Sequence, residues 1–297
     1  MTAQRIGFIG LGDIGAPMAM RVVDAGWPLT VFNRSPAKAQ PFADRGVAVA
    51  ASPQALAQAS DVVLLCVTDA DAVEAMVFGA NGLAAGWAGR SGLAPVAVDL
   101  STIHPRSEQA FAKRLAAACG GRWVDAPVSG GAIGARAGTL AAMVGGDAAD
   151  VERVRPVLLS FAGRLTHMGG IGCGQATKLC NQMINCGTVA IVSEAMDLAA
   201  RFGMDPAKLP EALAGGFADS SILRNYGPKL ASGAYAGQGN TLTTLKDAEL
   251  VLDLGRSTGA PMPLFGLIGA MLRGLVSRGH TKDGMAGLSR VYRDPGR

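Results

Sequence analysis

Over its first 165 residues the chain alternates short apolar runs with alanine-rich stretches, and no other feature limits its architecture as strongly. "RIGFIG" (5–10), "LTVFN" (29–33), "DVVLLCV" (61–67) and "VAVDLS" (96–101) are bounded by turn residues or charges. Runs this short and this apolar read as strands buried on both faces. The segments between them, at 15–25, 36–44 and 70–78, have helical character. This order predicts an α/β domain with a doubly wound, mostly parallel sheet. "RWVDAP" (122–127), "TLAAMVGG" (139–146) and "RLTHMG" (164–169) continue the strand pattern less regularly.

The texture changes after Gly170. Between Gly174 and Phe202 there is no proline and one internal glycine, Gly187. A helix of that length spans about 40 Å. Further helical stretches are predicted at 205–216, 219–232, 242–258, 262–277 and 284–292. The expected organisation is therefore an α/β domain over 1–165 and an all-α domain over 166–297, opening with a long interdomain helix. A chain of 297 residues, 49% hydrophobic and 17% charged, has the material for two domains and for subunit contacts.

Composition also excludes some functions. The net charge is +4, and the Lys and Arg residues are scattered. No basic run suits a nucleic acid, while small anions remain compatible. Five cysteines, an odd number, contain no C-x-x-C, and there are three histidines. Free thiols and no metal centre are expected. The N-terminus enters a strand without a basic and apolar leader pattern. No uninterrupted apolar run reaches the ~18 residues of a membrane span. A cytoplasmic location and no membrane partner are expected.

"GFIGLGDIG" (7–15) carries Gly10-x-Gly12-x-x-Gly15 between the first strand and a helix. In that context the glycines permit a tight turn and let backbone N–H groups approach a pyrophosphate at the helix N-terminus. The first domain is thus expected to be a Rossmann domain that cradles a dinucleotide over Gly10, Leu11, Gly12, Asp13, Ile14 and Gly15. An NAD site usually carries Asp or Glu at the end of the second strand. Here Asn33 and Arg34 stand there. Arg34 would pair with a 2′-phosphate, which favours NADP, with NAD possible.

Three later segments carry further chemistry. "DLSTIHP" (99–105) places Ser101 and Thr102 beyond a strand end, where they either reach a nicotinamide ribose or cap the next helix. "DAPVSGG" (125–131) offers the Ser129 hydroxyl and open backbone N–H groups at Gly130 and Gly131. Either a carboxylate cradle or a plain turn fits it. In "GQATKLCNQ" (174–182), helical spacing puts Gly174, Lys178, Asn181, Gln182 and Asn185 on one polar stripe. A lysine held there can give a proton to a carbonyl oxygen and take it back. Desolvation and a nearby nicotinamide cation would lower its pKa. A lysine on a solvated face is the alternative.

Taken together, "GFIGLGDIGAPM", "DLSTIHP", "DAPVSGGAIGARAGTLAAMVGG", "GCGQATKLCNQ" and "KDAEL" resemble the β-hydroxyacid dehydrogenases over nearly the whole chain. The resemblance implies that Lys178 is the catalytic lysine and that Ser129, Gly130 and Gly131 hold the substrate carboxylate. It implies that Val67, Thr102 and Lys246 contact the dinucleotide side. Many members carry two adjacent asparagines after the lysine, whereas this chain has Asn181 and Gln182. In this it looks more like the tartronate semialdehyde (2-hydroxy-3-oxopropionate) reductases than the 3-hydroxyisobutyrate dehydrogenases. The implied partner is a small-molecule carboxylate, and the apolar long helix suggests a homodimer or homotetramer. A non-catalytic dinucleotide-binding protein is the reading from another class.

Overall fold

The computed structural model describes residues 4–235 and 239–293. The chain forms two compact units, Met1–Lys178 and Leu179–Arg297. The first unit is built on a sheet of nine strands: β1 (Ile6–Ile9), β2 (Leu29–Phe32), β3 (Ala48–Val49), β4 (Val62–Leu65), β5 (Val96–Asp99), β6 (Arg122–Asp125), β7 (Val128–Ser129), β8 (Leu140–Gly146) and β9 (Ala162–Gly169). Their order is β3-β2-β1-β4-β5-β6-β8-β7, with β9 also on β8. β1 to β6 pair in parallel, β8 runs antiparallel to β6 and β7, and β9 is parallel to β8. The first six strands have the 3-2-1-4-5-6 order of the Rossmann fold, which reverses direction between β1 and β4, where such sheets bind their ligands.

Strand periodicity divides the core in two. Ile6, Phe8, Val62, Leu64, Val96, Val98 and Val124 lie in one cluster. Ile9, Val63, Leu65, Ala97 and Trp123 alternate with them and lie in the other. Side chains of period two face opposite sides of a sheet, so each strand supplies both cores. The same alternation puts Asp99 and Asp125 on the second face, directly opposite each other in the β5–β6 register and both fully buried.

The seven strands predicted from sequence are all present. β3 and β7 have two residues each, too short to leave a pattern. The helices Pro53–Ala59, Leu83–Trp87, Gly131–Ala137 and Ala148–Leu158 were not anticipated. The helical stretch at 36–44 is a 3-10 turn at Pro36–Lys38 followed by Gln40–Ala43, and that at 205–216 is Pro206–Lys208 followed by Leu209–Ala212. Pro41 and Pro210 lack an N–H for a continuing helix and so start new short ones. β9 ends at Gly169, so the sheet continues past residue 165. The first unit also takes in the opening turns of the long helix Cys173–Phe202.

The second unit is helical among the described residues. The long helix contributes Leu179, Cys186 and Val189 to a core with Val251 of Thr241–Thr258 and with Phe265, Ile268 and Leu272 of Pro263–Ser277. By length and composition the long helix can also cross a membrane, with mean hydropathy 1.2 over its most apolar window. That is a test of length and composition alone, and the core helix of a soluble protein passes it too.

Candidate active site

The glycine-rich loop leaves β1 at Gly10, whose N–H bonds Phe32 O of β2 at 3.1 Å. Gly10 has φ +98°, and a Cβ there would lie 2.1 Å from Cys66 O. A Cβ on Gly15 would lie 1.9 Å from Gly10 O. Gly12 differs, since nothing stands within 4 Å of its Cβ position. Two glycines therefore serve the packing of the chain on itself, and the third leaves backbone open for a ligand. The helix Gly15–Asp24 begins at this loop with no acidic residue in its first turn, so its dipole favours an anion. These residues fit a dinucleotide pyrophosphate.

Several neighbouring residues also serve the packing of the loop. Leu11 is buried in the core, and its N–H donates to Asn33 Oδ1 at 2.8 Å. Asn33 Nδ2 donates to Ser35 O at 3.0 Å. Asn33 is thus a strut that ties the end of β2 to the loop. Arg34 and Asp13 are exposed, and Ile14 is the residue that precedes the helix. Val67 N–H donates to the Ser101 hydroxyl at 3.0 Å, tying the end of β4 to that of β5. Thr102 is half-buried. The cap of Pro105–Cys119 is neither Ser101 nor Thr102 but His104, whose Nδ1 accepts from Arg106 N–H at 3.1 Å.

Lys178 is 8% exposed, which removes the solvated-face alternative. Its Nζ donates to Val128 O at 2.9 Å. Val128 immediately precedes Ser129, so the lysine lies against the segment that carries Ser129, Gly130 and Gly131. Ser129 is half-buried, while Gly130 and Gly131 are exposed with φ +129° and +62°. Glycine adopts this region at little cost, so the turn itself requires these two residues. Gly131 opens onto free space, whereas a Cβ on Gly130 would touch Leu140 Cδ2 at 3.0 Å.

Further along the long helix, in the second unit, Asn181 Nδ2 donates to Gln182 Oε1 at 3.0 Å, and Gln182 Nε2 donates to Asp247 Oδ2 at 2.6 Å. Asp247 is 5% exposed and forms an ion pair with Lys246 at 3.2 Å. Sequence reasoning named Gln182 and Lys246 but missed Asp247, the group that holds both. Its signal was adjacency to Lys246 in "KDAEL".

A second omission is a buried acidic group below the site. Glu108, fully buried in the first turn of Pro105–Cys119, accepts from Trp123 Nε1 and from Gln175 Nε2, each at 2.6 Å. Burial pushes its carboxyl well above the usual range, and the charges of Asp99 and Asp125 add to this. Asp125 accepts from Gly172 N–H at 2.7 Å and Gln175 N–H at 2.8 Å. Burial still outweighs these bonds and raises its pKa from 3.8 to about 6. Both carboxyls hold protons more tightly folded than unfolded. The stability this gives is full below pH 3.8, and Asp125's share is lost as pH rises through about 6. A shift of this size corresponds to about 3 kcal/mol. Raising the pH from 5 to 8 is thus expected to lower the wild-type melting temperature more than that of Glu108→Gln, which lacks one titrating member. Parallel melting curves for the two proteins over that interval would refute this.

Comparison with known proteins gives the family. Residues 5–170 match the family model of the NAD-binding domain of 6-phosphogluconate dehydrogenase. Residues 172–292 match that described as NAD-binding of NADP-dependent 3-hydroxyisobutyrate dehydrogenase. The chain is 37% identical to 2-hydroxy-3-oxopropionate reductase of Escherichia coli, over 88% of this chain and 87% of that protein. It is 36% identical to 3-hydroxyisobutyrate dehydrogenase of Pseudomonas aeruginosa, over 92% and 91%. Among solved structures, the Mycobacterium tuberculosis 3-hydroxyisobutyrate dehydrogenase with L-serine superposes with TM-score 0.86 at 31% identity, covering 98% of this chain and 100% of that one. A glycine cradle open at Gly12, a buried lysine held against the strand-end loop and matches spanning both units lead to one assignment: the chain belongs to the β-hydroxyacid dehydrogenases and is an NAD(P)-dependent oxidoreductase.

Proposed function

We propose that this oxidoreductase interconverts a small 3-hydroxy acid and its semialdehyde, with tartronate semialdehyde (2-hydroxy-3-oxopropionate) as leading substrate and NADP as preferred cofactor. The observation that carries the reading is the buried Lys178 amine on the carbonyl of Val128, one residue before Ser129. The loop at Gly10, Gly12 and Gly15 would hold the pyrophosphate, with Arg34 at the adenosine 2′-phosphate and Val67, Thr102 and Lys246 on the nicotinamide side. When bound, the nicotinamide supplies a hydride to the carbonyl carbon or takes one from the alcohol. Lys178 protonates the carbonyl oxygen as charge develops on it, and removes the same proton in oxidation. Ser129, Gly130 and Gly131 hold the substrate carboxylate by hydroxyl and backbone N–H. Gln182, steadied by Asp247, or its neighbour Asn181 orients the remaining hydroxyl or carbonyl. Orientation of donor and acceptor, rather than new covalent chemistry, is what the protein contributes.

A steady-state screen of small semialdehydes and 3-hydroxy acids with both dinucleotides tests this. The highest kcat/KM is expected with tartronate semialdehyde and NADPH. A higher value with 3-hydroxyisobutyrate would move the chain to that branch of the family. Arg34→Ala is expected to raise the KM for NADPH by about 10–100-fold, the effect of one lost charge-assisted contact, and to leave NADH almost unchanged. Wild-type preference for NADH would refute the role given to Arg34.

A further inference from the structure

The buried acidic group has no place in the reaction as described, yet it is built with care. Asp99 and Asp125 face each other in register, Glu108 lies beside them, and all three are fully buried. Apolar residues would fill that space at lower cost, because buried carboxyls need partners for every oxygen. Asp99 takes the Ser101 N–H and Glu108 the Trp123 indole, while Asp125 and Glu108 share a third set of partners on one short segment. Asp125 takes the N–H groups of Gly172 and Gln175, which flank the start of the long helix. Gln175 is fully buried, and its amide is used at both ends. Nε2 donates to Ser101 O at 2.9 Å and Glu108 Oε1 at 2.6 Å, while Oε1 accepts from Ile103 N–H at 3.3 Å. Gly174 completes the seat, since a Cβ there would come within 2.5 Å of Met143 O and 2.7 Å of Asp125 O.

Lys178 follows Gln175 by three residues, so both lie near one face of the helix. The strand-end segment from Asp125 to Val128 therefore holds the helix at two points, its first turn through Asp125 and its lysine through the Val128 carbonyl. We propose that Gln175, Glu108 and Asp125 are positioning residues that fix the rotation and height of the helix so that the Lys178 amine meets the reacting oxygen. Gln175 is the central one, because it bonds the loop after β5, the helix Pro105–Cys119 and, through its own N–H, the end of β6. This inference rests on Lys178 being the proton carrier.

The test is a double-mutant comparison on the full-length protein, with NADPH and the best substrate of the screen. Gln175→Met keeps the size of the side chain and removes its three hydrogen bonds. Misplacement of a reacting group by about 1 Å costs on the order of 10²-fold, and a fall in kcat of about that size is expected, with the KM for NADPH little changed. In the Lys178→Ala background the same substitution is expected to leave the residual kcat unchanged, since no amine remains to be positioned. An equal fall in both backgrounds would show general damage and overturn the proposal, as would no fall in either. If Gln175→Met does not fold, Glu108→Gln makes the same comparison. Its amide oxygen still accepts from Gln175, while its NH2 opposes the Trp123 indole N–H. Loss of activity in Lys178→Ala together with a silent Gln175→Met would remove only the positioning role. Near-normal turnover in Lys178→Ala would remove the proposed mechanism and this inference with it.

Discussion

Lys178→Ala is expected to lower kcat by about 10²–10⁴-fold, the usual worth of a positioned general acid–base group. The NADPH affinity is expected to survive, because the glycine-rich loop makes its own contacts with β2 and the end of β4. Thermal stability changes little because two effects oppose each other. The substitution leaves Val128 O without its donor, at about 1 kcal/mol. It also removes an amine that is only 8% exposed and introduces the best helix former. Lys178→Arg sharpens the test. A guanidinium keeps the charge but does not release a proton near neutral pH. If Arg restores most of the activity, charge rather than proton transfer is the contribution of this position. If neither variant loses activity, the chemistry lies elsewhere.

The second large effect separates two glycines that a motif treats alike. Gly10→Ala is expected to prevent folding or to lower the melting temperature by more than 10 °C. It forces a side chain into φ +98° and within 2.1 Å of the Cys66 carbonyl, and such backbone overlap costs several kcal/mol, about 2–4 °C for each in a protein of this size. Gly12→Val is expected to melt within a few degrees of wild type, since open space surrounds its Cβ position. It would nevertheless weaken NADPH binding by about 10²-fold or more, because the branched side chain occupies the space that the pyrophosphate needs. Calorimetric melting beside NADPH titration reads both. Equal dinucleotide affinity in wild type and Gly12→Val would mean that the cradle faces elsewhere.

Much of this arrangement was legible in sequence because its signals are local. A doubly wound, mostly parallel sheet follows from apolar runs spaced by crossover helices, though the strand order and the two-residue β3 do not, and the lysine stood out as a cation on an otherwise quiet helix. What escaped reading depends on contacts between distant segments. Asn33 was read for its place at the end of β2, and its bracing role went unseen because its partner, Leu11 N–H, is 22 residues away. Asp125 read as the start of a turn motif, and only the fold brings it to Gly172 and Gln175. Glu108 stands in the first turn of its helix, where an acid is common and draws no notice. No periodicity announces that a charged-type residue will be fully buried against two aspartates. Asp247 was hidden in the same way, since its partner Gln182 belongs to another helix. The caps were misread for a smaller reason: His104 does with a ring nitrogen what serine or threonine usually does with a hydroxyl.

The Asn33 strut also bears on how this enzyme could be redesigned. Its oxygen braces Leu11, while under the proposed function its neighbour Arg34 would meet the adenosine end of the cofactor. Aspartate at this position retains an acceptor for Leu11 N–H, at the cost of the donation to Ser35 O and of one carboxylate oxygen set against that carbonyl. Scaffold and selectivity are therefore separable here: an engineer can exchange the charge at residues 33 and 34 without dismantling the loop, provided residue 33 keeps an oxygen. Aliphatic replacements would collapse both properties together, which makes this a position where libraries should be restricted to Asn and Asp.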